Sequence, residues 1–235
     1  MRLFLTIIFC GIAGIVHSQT CTANGQTAET AVLVCGSATF SVNAPGSCGQ
    51  AAIPVPCGDP FPYRNTNPHF YRMACYSSGT LGFTITPSDP NANYNWQLFD
   101  ITNTNPADIF TNSSLFVACN WSSDLGPTGA SIDGTQLAVC SGLRPLFSQM
   151  PDIVRGRTYL LMVSNESNSP APYQLAFDGG SASITDAVEP HLGTAGLNCN
   201  GTLIWVRLNK PIVCSSLAGD GSEFSVSGGA SIIGA

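Results

Sequence analysis

Hydrophobic and polar residues alternate along much of the chain with the two-residue period of an extended strand, and few stretches carry a helical period. In "TLGFTIT", Leu81, Phe83 and Ile85 share one face, with Thr80, Gly82, Thr84 and Thr86 on the other. "YNWQLFD" sets Tyr94, Trp96 and Leu98 together, "SLFVACNW" aligns Leu115, Val117 and Cys119, and "PYQLAFD" aligns Tyr173, Leu175 and Phe177. "RTYLLMVS" is apolar on both faces, the pattern of a central strand covered twice. "AVLVCGSATFSV" and "HFYRMACY" supply earlier strands, and turn residues such as Ser78-Gly79 and Gly126-Pro127 punctuate the gaps. Short strands at this spacing predict an all-β fold, an antiparallel β-sandwich of jelly-roll or Ig-like kind.

The Gly-rich segment 178–196 is the best boundary. We read residues 19–183 as the sandwich domain and 184–235 as a linker followed by a second β module. A sandwich needs roughly 100 residues, and too few remain here, so the second module reads as an incomplete Ig-like one, cut from a longer chain. In it, Leu203, Ile204, Trp205 and Val206 would stay largely uncovered. Packing of these strands onto the first domain is the alternative.

Composition narrows the function classes. Charged residues make up 9% of the chain and the net charge is -6, against a typical ~25% charged. There is no basic cluster, so a nucleic-acid footprint is absent. Met1-Arg2 followed by "LFLTIIFCGIAGIV", with small residues at Val16 and Ser18, predicts a signal peptide over residues 1–18 and cleavage before Gln19. That run is short of the ~20 residues a membrane helix needs, and no other stretch of the mature chain could span a membrane.

Cleavage leaves Cys21, Cys35, Cys48, Cys57, Cys75, Cys119, Cys140, Cys199 and Cys214, with no CxxC pair. Export favours disulfides over zinc. A turn near Gly129-Ala130 would set Cys119 against Cys140, and Cys48 and Cys57 bracket a Pro-rich loop. Cys35 would reach Cys75 across the sandwich, leaving Cys21 over. Cys199 pairs with Cys214 as the only two in the second module, although a tight turn at Asn209-Lys210 sets Cys214 against Trp205 instead. One free thiol is expected.

Candidate chemistry is sparse. No G-x-S-x-G occurs, and the mature chain has two histidines, His69 and His191. Ten Asp and four Glu offer no pair that the pattern singles out for glycoside hydrolysis. Asp89, Asn91, Asn93, Asn95 and Asp100 crowd "PSDPNANYNWQLFD"; they supply oxygen donors for calcium or, without metal, Asx turns. No other cofactor is expected. N-x-S/T triplets at Asn112, Asn120, Asn165 and Asn200 are glycan acceptors if the host is eukaryotic. Tyr63, Tyr71, Trp96, Trp121 and Tyr173 are either core or a stacking platform for sugars, with Trp121 the first choice for an exposed ligand contact.

The strings "GTLGFTITPSDPNANYNWQLFDITN", "SLFVACNWS", "TGASIDGTQLAVC", "MPDIVRGRTYLLMVSN" and "LNKPIVCSSLAGDGSEFSVSG" together resemble the N-terminal region of large Bacteroidetes surface proteins. These are multi-domain proteins ending in a gliding-motility-associated C-terminal domain. The resemblance covers roughly residues 30–230. It implies a CUB-like or jelly-roll module, then bacterial Ig-like domains and type IX secretion. Family members tend to be acidic where this chain reads "NANYN", a departure from the family pattern at any metal site there, and the resemblance attaches no activity to named residues. The expectation is an exported, non-catalytic cell-surface or secreted module for adhesion, display, or contact with a polymer or glycan. The alternatives are the non-catalytic N-terminal part of a secreted hydrolase and a calcium-dependent carbohydrate-binding module.

Overall fold

The computed structural model describes residues 21–36, 39–43, 46–143, 145–167, 171–210, 219, 222 and 224. The expected leader, Gln19 and Cys214 lie outside them. The chain divides into two compact units, residues 1–186 and 187–235.

The first unit opens with β1 (Val32–Val34), β2 (Phe40–Val42), β3 (Ala52–Ile53), β4 (Tyr63–Arg64), β5 (His69–Ala74) and β6 (Gly79–Thr80). It continues through β7 (Phe83–Pro87), β8 (Tyr94–Asp100), β9 (Phe116–Asn120), β10 (Thr128–Ser131) and β11 (Ala138–Val139). It closes with β12 (Phe147–Gln149), β13 (Asp152–Ile153), β14 (Thr158–Asn165) and β15 (Tyr173–Ala176). Two 3-10 turns, Pro106–Phe110 and Ser113–Leu115, lie between β8 and β9. The fold is an all-β sandwich. One sheet has six strands in the order β1-β5-β14-β8-β9-β11, and the facing sheet has five, β12-β10-β7-β15-β2.

The predicted faces are met in the core. Leu81, Phe83, Ile85, Tyr94, Trp96, Leu98, Tyr173, Leu175 and Phe177 all enter one cluster with both sheets contributing. Strand β14 sits third in the six-stranded sheet, and Leu160, Leu161 and Met162 are fully buried. Its two apolar faces have separate destinations. Tyr159, Leu161 and Val163 join the main cluster, while Leu160 and Met162 join a second one with Phe70, Phe99, Ile109 and Trp121. This outer cluster also takes Ile53 of β3 and residues of the 3-10 turns, so the six-stranded sheet is covered twice. Each such aliphatic side chain contributes about 1.5–3 kcal/mol when fully buried.

Two local expectations fail. Leu115, Val117 and Cys119 do not share a face, because the register shifts where β8 meets β9, between Leu98↔Ala118 and Phe99↔Phe116. A bulge of this kind breaks the two-residue period. Val117 packs toward the main core, whereas Leu115 and Cys119 lie in the outer one. The sheets are also mixed: β1 with β5, β9 with β11, and β10 with β12 are parallel pairs.

The second unit contains the hairpin β16 (Leu192–Leu197) and β17 (Ile204–Leu208). The first of these strands begins within the Gly-rich segment 178–196 read as the boundary. Its glycines hide it from pattern reading, but backbone pairing and Trp205 hold it: the indole covers Gly196 of the opposite strand. Leu203, Ile204, Trp205 and Val206 are exposed, as expected.

Candidate functional site

Three loops meet at one end of the sandwich: the segment between β3 and β4, the segment after β9, and the segment after β11. The first is a long hairpin excursion, closed where Ala52↔Arg64 and Ile53↔Tyr63 pair. The other two follow from the path between β9 and β12. The chain crosses from the six-stranded sheet to the five-stranded sheet at β10, returns at β11 and crosses again at β12. Strand β11 therefore runs parallel to β9, with Ala138↔Cys119 and Val139↔Asn120 in register.

That path overturns the expected Cys119–Cys140 bridge. An antiparallel hairpin would set the two opposite, but a double crossing makes the segments parallel and carries Cys140 past Cys119. Cys140 joins Cys57 instead, with 5.9 Å between their Cα atoms. Cys119 remains a buried free thiol, pushed up to about 12 by burial. The expected Cys48–Cys57 staple is also absent, because β3 carries the chain away between them. Cys48 is held at the opposite end of this segment, where its N–H donates to Asn67 Oδ1 at 3.1 Å, and it bonds to Cys21. Cys35 and Cys75 are both free. Continuing the β1–β5 register from Val34↔Met73 puts Cys35 beside Ala74, with its side chain on the face opposite to Cys75. Cys199 is an exposed free thiol whose expected partner, Cys214, lies outside the described residues. The two disulfides among the described residues fit an oxidising compartment. Among the described residues, no helix is long and apolar enough to cross a membrane.

Side chains tie the three loops together. The Tyr63 hydroxyl donates to the Asp59 carboxylate and accepts from the Ser141 N–H at 2.9 Å. Partial burial, with the Asp59 carboxylate beside it, pushes the Tyr63 phenol up to about 12. Its ring meets Trp121 edge-on at a centroid distance of 4.9 Å. Trp121 in turn donates to Gln97 Oε1 at 3.3 Å, and Gln97 Nε2 donates to the Pro54 carbonyl at 2.9 Å. Ser122 Oγ donates to the Leu143 carbonyl at 3.0 Å, and the Gly142 N–H to Ser123 Oγ at 3.4 Å. On this fastened frame each loop exposes an apolar side chain: Phe61 at 79%, Leu125 at 49% and Leu143 at 42%.

Trp121 is thus 2% exposed and offers no ligand contact; it is the buttress of the loop end. The residue that projects is Phe61, whose flanking Pro60 and Pro62 were the available sequence signal for an exposed turn. Tyr71, Trp96 and Tyr173 are also core residues.

The oxygen donors proposed for calcium do not converge. Asp89 Oδ1 accepts from the Asn91 N–H at 2.9 Å and from Asn91 Nδ2 at 3.2 Å, an Asx turn. Asn93 Nδ2 donates to the Ser122 carbonyl at 3.3 Å, and Asn95 is buried inside the sheet. Asp100 lies at the far end of β8, where it accepts from the Thr102 hydroxyl and from Arg157 at 2.6 Å. A strand advances about 3.3 Å per residue, so Asp100 is far from Asn95. Burial alone would raise the Asp100 carboxyl, but Thr102 and the Arg157 guanidinium outweigh it and hold it low.

His69 is placed for packing. Its ring stacks obliquely on Tyr71 and lies where a Cβ on Gly25 would be, and burial lowers its basicity. Of the four N-x-S/T triplets, Asn120 and Asn165 are fully buried, while Asn112 and Asn200 are exposed. A separate concavity of about 260 Å³ is lined by Leu81, Phe177, Ile184, Thr80 and Ser183, with Asp178 its single titratable group. No protein-family model matches this chain, and neither does any curated protein or solved structure.

Proposed function

We propose that this chain is an exported, non-catalytic β-sandwich module of a multi-domain surface or secreted protein, and that it makes contact with a polymer or surface through its loop end. The observation that carries the reading is Phe61, 79% exposed on a loop that the Cys57–Cys140 bond and the Tyr63–Ser141 hydrogen bond hold in place. Rigid presentation lowers the ordering cost of binding, and loops on a fixed scaffold are the usual place for recognition. The leader-like N-terminus and the resemblance to Bacteroidetes surface proteins support export and display. The scattering of the Asp89–Asp100 oxygen donors supports binding that does not depend on calcium.

Co-sedimentation with insoluble cellulose, chitin and xylan tests this. The mature chain is expected to pellet with at least one polymer. Phe61→Ser and Leu125→Ser should each reduce the bound fraction, and EDTA should leave it unchanged. Binding indifferent to both substitutions, loss of binding in EDTA, no binding to any polymer, or turnover of the polymer would overturn the reading.

A further inference from the structure

The loop end holds a second chemistry. The two sulfur atoms of Cys57 and Cys140 and a carboxylate oxygen of Asp59 all lie within 4.8 Å of one another. Zinc binds thiolate at about 2.3 Å and carboxylate at about 2.0–2.2 Å, so two donors in a tetrahedral shell stand roughly 3.5 Å apart. Once the bond between them is reduced, the two sulfurs can part toward that spacing, with the Asp59 carboxylate beside them on an exposed turn. Gly58, between two of the donors, has open space where a side chain would stand. The third donor is already oriented: Tyr63 donates to Asp59 while the Ser141 N–H fixes the Tyr63 oxygen. A hydrogen-bonded outer partner of this kind aims a metal ligand.

We propose that, when the Cys57–Cys140 bond is reduced, Cys57, Asp59 and Cys140 bind a divalent ion of the zinc class, which takes over as the clamp between the two loops. The reductant is an external dithiol. Its two sulfurs join in a disulfide, the bond between the two protein sulfurs breaks, and each of these takes a proton. Metal binding then releases those two protons as the thiolates coordinate, and the fourth position is left to water. The proposal is independent of polymer contact.

Cobalt(II) titration of the full mature chain, reduced with an excess of dithiol that is then removed under anaerobic conditions, tests it. The reduced protein should show a thiolate-to-cobalt charge-transfer band with tetrahedral visible bands, discharged by zinc. The oxidised protein should show neither. The band should vanish in C57S/C140S and persist in C119S. Asp59→Asn and Tyr63→Phe, which leave both sulfurs and the oxidised cross-link in place, should each weaken binding about tenfold or more. A reduced chain without the band, a band that survives in C57S/C140S, or an Asp59→Asn variant with parental affinity would overturn the site. If C57S/C140S does not fold, the Asp59 and Tyr63 variants decide.

Discussion

Individual side chains in this sandwich answer to burial before chemistry. Burial lowers the basicity of His69. As pH falls, the unfolded chain takes up this proton first, near the ordinary value of about 6.5. The stability it contributes is complete above that pH and declines as pH drops toward the lower folded value. An NMR titration should place the His69 midpoint below 6.5; a midpoint at or above the ordinary value would contradict the packing. Asp100 acts in the same sense at lower pH. Its carboxyl is depressed by Thr102 and Arg157, so its contribution is present above about pH 4 and is lost as pH falls through the folded value. In Asp100→Asn that portion of the acid dependence should disappear from denaturation curves. Gly25 has φ +84° with the His69 ring against it. Gly25→Ala should destabilise by about 1–2 kcal/mol, read as a lower urea midpoint.

At the scale of elements, the crossing path from β9 to β12 decides most of what matters. It needs polar joints inside the sandwich. Ser148 Oγ donates to the Cys119 carbonyl at 2.7 Å and lies 3.2 Å from Asn120 Nδ2, which also donates to the Pro145 carbonyl at 3.0 Å. Both side chains are fully buried. Ser148→Ala would orphan buried groups and should cost about 1–3 kcal/mol, measurable by chemical denaturation. The Cys57–Cys140 bond links segments 83 residues apart in sequence. Cys57→Ser should lower stability by about 2–5 kcal/mol, and reduction should have no further effect through this bond in the variant. Near-coincidence of the midpoints of Cys57→Ser and the oxidised parent would contradict a clamped loop end. Strand β14, apolar on both faces, was readable as a central strand because two covered faces leave no polar alternation. The bulge at Val117 was not readable, since one inserted residue is set by the partner strand and leaves no mark in the composition.

For the whole molecule, the cysteine inventory gives the plainest test. Cys35, Cys75, Cys119 and Cys199 are free among the described residues, where counting in sequence had suggested a single thiol. Thiol titration of the denatured, unreduced protein should find at least these four, with Cys214 outside the described residues. Without denaturant, Cys75 and Cys119 should be silent because they are buried. A total near one would contradict the disulfide pattern. The sequence by itself determined the all-β class, the inward faces of β7, β8 and β15, and the place of β14, because side-chain alternation is a local property of an extended chain. It also offered Asx turns as the reading of the Asp89–Asn95 oxygens without metal, and Asp89 forms one. Only the tertiary structure decided which cysteines meet, that Trp121 supports the loop end and Phe61 projects from it, and that Asp59 and Tyr63 join the cross-link. Those facts depend on strand direction and sheet crossings, which bring together residues far apart in sequence, and no local pattern of polarity encodes that direction.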